Sequence, residues 1–359
     1  MSNAPVTAPR PLLDAPLRRL ARAGMALGAL AVVAGVALGR AQPTLGALAA
    51  SWLFFAGLAA GGVALSAAVR VAQGTWARQI LPVAEAASAF FTPAAAILVV
   101  LVGAARWWMP GLAAEGVGAW LALAARDLLA MAALFVAARR YLQSSRADAP
   151  TATRDAIVYL FAYVLGLTLW AIDLVMGLHP WAPSTVVPPF YFMGALLGAV
   201  AWAALMTSIR PGSLPPEAAR VDLAKLLFGL SILWFYLFFS GFLPTWYANI
   251  PDETGQLLAR WQGGYRPLSI GVIATIFVLP FGLLMPGSAK RRPARVALGA
   301  ASVLVGLVGE RFLLVMPSLD AGGAWPAVAG LGVTLGLAGA FLLGADGALS
   351  SRVQAASAP

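Results

Sequence analysis

The sequence predicts an all-α fold, a polytopic membrane bundle of about ten transmembrane helices. Three observations predict it. Composition is the first: 61% of the 359 residues are hydrophobic and 11% are charged, against about 25% charged residues in an ordinary soluble domain. A water-soluble chain needs a polar skin, and this one has too little polar surface to make it. The second is length, because apolar runs of the roughly 20 residues that cross a bilayer recur along nearly the whole chain. The third is that the cations are sorted by the connections between those runs.

Taken in order, residues 1–17 are polar and Pro-rich. The stretch 1–19 reads as a disordered, cytoplasmic N-terminus. It does not read as a cleavable signal peptide, since no small-residue cleavage site follows a short apolar core. Spans are expected at 20–39, 46–69, 81–104, 118–138, 156–177, 189–209, 223–243, 267–286, 295–316 and 324–345. Together they form one transmembrane domain, 20–345, and 346–359 reads as a cytoplasmic C-terminal tail. Small residues inside the spans, such as Gly57, Gly61 and Gly62 in the second, let helices approach closely where lipid gives no hydrophobic drive to associate. Pro93 and Pro280 interrupt the third and eighth spans.

With the N-terminus placed inside, the inner segments hold 18 of the 24 cations. The outer ones hold four, Arg40, Arg106, Arg260 and Arg266, and Arg126 and Arg311 lie within spans. A miscounted helix would scramble this alternation, so the positive-inside bias predicts ten spans with both termini cytoplasmic. The same bias accounts for the net charge of +10 without any nucleic-acid partner. The outer connections instead carry Trp107, Trp108, Trp181, Trp246, Tyr247 and Trp261, as an interfacial aromatic belt does. Segment 244–266 is long for a connection between bundle helices. It is expected to cover something or to touch a partner, with Trp246, Tyr247, Asn249, Asp252 and Glu253 as contact candidates.

Cysteine is absent and His179 is the single histidine. Disulfides, thiolate-held iron–sulfur clusters, CxxCH haem attachment and two-histidine haem ligation within the chain are thereby excluded. No metal site and no catalytic residue is assigned. Ionisable residues within spans are costly and are functional candidates by default. Glu85, Asp127, Asp173 and Glu310, with His179 at a helix end, are spread over membrane depth as a proton path would require. The bland alternative is structural ion pairing through Arg126 and Arg311. Neighbours in sequence do not face one another on a helix. Arg126 and Asp127 are therefore expected to seek partners on other helices, as are Glu310 and Arg311, and cross-pairing of the two dipeptides is one way to satisfy all four. Glu85 is the expected uncompensated acid.

Four segments then become recognisable together: GTWARQILPVAEAASAFFTP (Gly74–Pro93), DLVMGLHPWAPSTVVPPFYFMG (Asp173–Gly194), KLLFGLSILWFYLFFSGFLPTWYANIPDET (Lys225–Thr254), and Phe277–Pro317, which opens FVLPFGLLMPGSAKRRP and ends ERFLLVMP. They resemble the second large membrane subunit of alternative complex III, a bacterial quinol:cytochrome c (or cupredoxin) oxidoreductase. The membrane subunits of that complex are distant relatives of the NrfD/PsrC quinol-binding proteins. The resemblance implies two four-helix bundles plus two further helices, with no cofactor bound by this chain. Haem and iron–sulfur clusters would belong to partner subunits: a multihaem cytochrome c and an iron–sulfur protein. A quinone would be handled nearby, mainly by an NrfD-like sibling. Glu85, Arg126 and Asp173 fall on family positions, as do Tyr247, Asn249, Asp252 and Glu253. Departures occur at Ser240-Gly241, at Ile276 or Phe277, at Glu310 and around Arg70, where the family usually carries other polar groups. Two further readings stand beside this one. A quinol-binding subunit would need a pocket around Asp173, His179 and Tyr191, and a secondary transporter would need inverted repeats that the chain does not display.

Overall fold

The computed structural model describes residues 12–178, 184–209, 215–262, 264–319 and 324–357. Ten helices among them are long and apolar enough to cross a membrane: Ala15–Ala37, Ala41–Val71, Leu81–Gly103, Val117–Arg146, Ala152–Leu178, Val187–Ile209, Glu217–Ala248, Tyr265–Leu284, Pro293–Leu319 and Trp325–Arg352. No strand occurs among the described residues. The chain is a multi-pass helical membrane protein. In order, these helices are the first to tenth spans.

The differences from expectation lie at the ends. The first helix starts at Ala15, with Pro16 in its first turn, where a missing N–H costs nothing. The tenth runs on to Ser357, so residues 15–19 and 346–357 are helical where tails were expected. A buried acid explains part of this. Asp346 accepts the backbone N–H groups of Leu12 (2.7 Å) and Leu13 (3.2 Å) and pairs with Arg18 at 2.8 Å. The carboxylate thus satisfies donors just ahead of a helix start and ties the first span to the tenth.

The second span is the hub, packing against the third, fifth, sixth, ninth and tenth. The second to fifth spans form one four-helix group and the sixth to ninth another, while the first and tenth pair with each other against the second and third. Glycines permit the close approaches. A Cβ on Gly28 would stand 2.7 Å from the Cα of Gly336, which zips the first span to the tenth. A Cβ on Gly61 would stand 2.4 Å from the carbonyl oxygen of Ala195, at the join between the two groups.

Both proline interruptions are built into breaks in helix type. A 3₁₀ turn at Ala87–Phe90 precedes the helix restarting at Phe91, with Pro93 in its first turn. A π turn at Ala274–Val278 precedes the restart at Leu279, with Pro280 next. At both restarts the absent proline N–H is accommodated by the changed hydrogen-bond register. Segment 244–266 is not an open loop. The seventh span continues to Ala248 and stops at Asn249 in the left-handed region (φ 49°), which asparagine tolerates. A short helix, Pro251–Trp261, then leads back toward the eighth span.

Candidate functional site

The fourth span carries Arg126 and Asp127 ten residues or less from its start at Val117. At 1.5 Å per residue that is about 15 Å in, near the middle of a hydrocarbon core about 30 Å thick. Their side chains diverge around the helix. Arg126 grips Asp173 of the fifth span with two parallel bonds, Nε to Oδ2 at 3.0 Å and Nη2 to Oδ1 at 2.7 Å. Asp127 is fully buried, and neither carboxylate oxygen has a hydrogen-bond partner. A charged or polar group without a partner is costly in such a place.

Glu310 and Arg311 of the ninth span behave differently. Arg311 Nη1 donates to Glu310 Oε1 at 2.6 Å, so these sequence neighbours pair with each other. That corrects the expectation from helix geometry, and no cross-pairing joins the two dipeptides. Both side chains are buried and long enough to curl together, and the walls hold them there. Trp234 Nε1 donates to Glu310 Oε2 (3.2 Å). Arg311 Nη2 donates to the Tyr191 carbonyl (3.3 Å), and the guanidinium lies 4.5 Å from the centre of the Tyr191 ring. Gly194 makes the room, since a Cβ there would stand 2.9 Å from Arg311 Nη2.

Glu85, one turn into the third span, is not the uncompensated acid. It accepts Ser66 Oγ at 2.6 Å and pairs with Arg352 at 2.8 Å. The tenth helix, continuing past residue 345, delivers Arg352 to it. Ser66 Oγ is also 2.9 Å from the Tyr141 hydroxyl. From there a tyrosine ladder climbs the bundle interior, Tyr141 to Tyr159 at 6.3 Å and Tyr159 to Tyr163 at 6.5 Å between ring centres. Tyr159 donates to the Ala60 carbonyl (2.7 Å), Tyr163 to that of Phe192, and Tyr191 to that of Leu53 (3.0 Å). These hydroxyls are uncharged, so the rule that singles out charged groups within spans does not reach them. Their signal in the sequence is the i, i+4 spacing of Tyr159 and Tyr163 in an apolar helix. Asp346 escaped the same rule because it lies beyond the expected end of the tenth span.

The quinol-binding alternative calls for a pocket shared by Asp173, His179 and Tyr191. His179 lies outside the described residues. Asp173 is committed to Arg126, and Tyr191 is enclosed with its hydroxyl and ring both engaged. A cavity of about 350 Å³ lies elsewhere, between the start of the sixth span, the C-terminal half of the seventh and the short helix Pro251–Trp261. Glu253 lines it, whereas Trp246 and Tyr247 stand exposed at the end of the seventh helix. Asn249 is the helix stop, and Asp252 lies in the first turn of the short helix. Among the described residues no group of three or more histidine or acidic side chains is placed to hold a metal ion. No protein-family model matches the chain, and no curated protein matches it.

Proposed function

We propose that this chain is an accessory, cofactor-free membrane subunit of a bacterial quinol:cytochrome c (or cupredoxin) oxidoreductase of the alternative complex III kind, serving assembly and proton conduction. The four recognisable segments support the reading, and the sorting of arginines supports a place in the inner membrane with both termini cytoplasmic. In this reading the haem and iron–sulfur clusters sit in a multihaem cytochrome c and an iron–sulfur subunit. Quinol is oxidised at an NrfD-like sibling. The exposed Trp246 and Tyr247 are contacts for such partners.

The observation that carries the proton-conducting part is Asp127. A carboxyl buried near mid-membrane with both oxygens unpartnered is expensive, so a functional reason for it is the default. It needs a proton or a cation to neutralise it, which suits a stop on a proton path. The Arg126–Asp173 pair lies beside it, and the Glu85–Ser66–Tyr141 cluster lies toward the arginine-rich end.

The test is purification from native membranes through a tag on this chain. A multihaem cytochrome and an iron–sulfur protein are expected to co-elute. The complex carrying Asp127→Asn is expected to oxidise quinol while releasing fewer protons per electron in vesicles. A chain that elutes alone, or an unchanged proton yield, would contradict the assembly and proton parts respectively.

A further inference from the structure

The cavity beneath the short helix Pro251–Trp261 holds two opposite charges that do not satisfy each other. Glu253 and Arg260 both line it. They stand seven residues apart on one helix, about 10.5 Å along its axis. Among the described residues neither makes an ion pair. The acid nearest in influence to Arg260 is Glu310, which is already held by Arg311 and Trp234. Burial pushes the Arg260 guanidinium down to about 10, which leaves it charged at neutral pH. A half-buried cation in this state gains most from an anionic oxygen pair that matches its planar fork.

Besides these two charges the lining of the cavity mixes hydroxyl and amide groups (Ser184, Thr185, Ser240, Thr245, Gln256) with apolar side chains of the sixth and seventh spans. Phe238 and Phe242 line it and belong to a continuous stack on one face of the seventh span. Trp234 meets Phe238 at 5.8 Å, Phe238 meets Phe242 at 6.2 Å, and Phe242 meets Trp246 at 6.5 Å, all within 16° of parallel. The stack starts at buried Trp234 and ends at exposed Trp246. Within the span, the exposed Phe239 and Leu243 beside Phe238 and Phe242 give the cavity an apolar flank, and Trp246 caps the stack at the helix end.

A plain anion, or a lipid with a purely anionic headgroup, would satisfy Arg260 and be repelled by Glu253. A choline headgroup would offer Glu253 no N–H donor. A primary ammonium joined to a phosphate answers both charges at once. We propose that this cavity seats the headgroup of an aminophospholipid, with the phosphate on Arg260, the ammonium on Glu253 and the acyl chains running into the span along Phe238, Phe239 and Phe242. The lipid would clasp the short helix to the bundle. Nothing in this depends on the chain's being a respiratory subunit.

The experiment is native mass spectrometry of the full-length chain in detergent, with phosphatidylethanolamine, phosphatidylglycerol and phosphatidylcholine competing at equal concentration. The wild type is expected to retain the ethanolamine lipid about tenfold over either competitor, the discrimination of one charge-assisted contact. Arg260→Gln is expected to lower retention of all three by a similar factor, and Arg260→Lys to restore much of it. Glu253→Gln is expected to abolish the ethanolamine preference while keeping phospholipid bound. Leu258→Ala, a change at an exposed position on the same helix, is expected to alter nothing. A wild type that prefers phosphatidylglycerol, shows no preference or carries an isoprenoid quinone instead overturns the proposal. So does unchanged retention in Arg260→Gln. If a variant fails to fold, the wild-type competition decides alone.

Discussion

Arg126–Asp127 and Glu310–Arg311 are two pairs of sequence neighbours with the same chemistry and opposite fates. In the fourth span the arginine leaves its neighbour for Asp173 on the next helix, and Asp127 is stranded. In the ninth span the neighbours close on each other. The difference lies in the walls. The Arg126 side chain is 51% exposed and can swing to a partner, whereas that of Arg311 is 2% exposed. Tyr191 covers Arg311, Gly194 leaves it just enough room, and Trp234 holds Glu310 in place. Enclosure forces an internal pair; a route to the surface permits a split and leaves an orphan. One dipeptide locks the bundle, and the other carries a destabilising group available for chemistry.

The sharpest way to break this contrast is Arg311→Met, which strands Glu310 in the core. A loss of about 3–5 kcal/mol is expected, read from the unfolding of the purified chain in detergent. A loss below about 1 kcal/mol, the scale of an exposed pair, would mean the closed pair is not what holds the ninth span. Gly194→Ala attacks the same pair through its space. Moving Arg311 off a Cβ at 2.9 Å is expected to cost about 1–3 kcal/mol, with no change in charge. Arg126→Gln keeps one donor toward Asp173, so a milder loss of about 1–2 kcal/mol is expected in the same assay. Asp127→Asn reverses the sign: stability should hold or rise by up to about 1 kcal/mol, because it removes a carboxyl that must be neutralised to stay buried. A clear loss would reveal a partner that holds Asp127.

The ten spans were legible in the sequence because hydropathy reports the solvent of each stretch, and here that solvent is lipid. The ends were not, because Asp346 becomes an anchor only when the first and tenth helices meet. The pairing of Glu85 was hidden for a similar reason. Its partner Arg352 is 267 residues away, and no local pattern announces such a meeting. The 244–266 segment stands out by its length alone. Its stop at Asn249 and the charged cavity beneath it depend on how the sixth, seventh and ninth spans pack. Asp127 and Glu310 could be named as candidates from their residue type and depth, but which was paired depended on reach and enclosure.

The most direct test compares two neutralising changes in one unfolding experiment, Asp127→Asn and Glu310→Gln. The first is expected to leave the chain as stable as the wild type or slightly more so. The second, which strands Arg311, is expected to lose at least about 3 kcal/mol. Equal losses in the two variants would contradict the division between a locking pair and an orphaned acid.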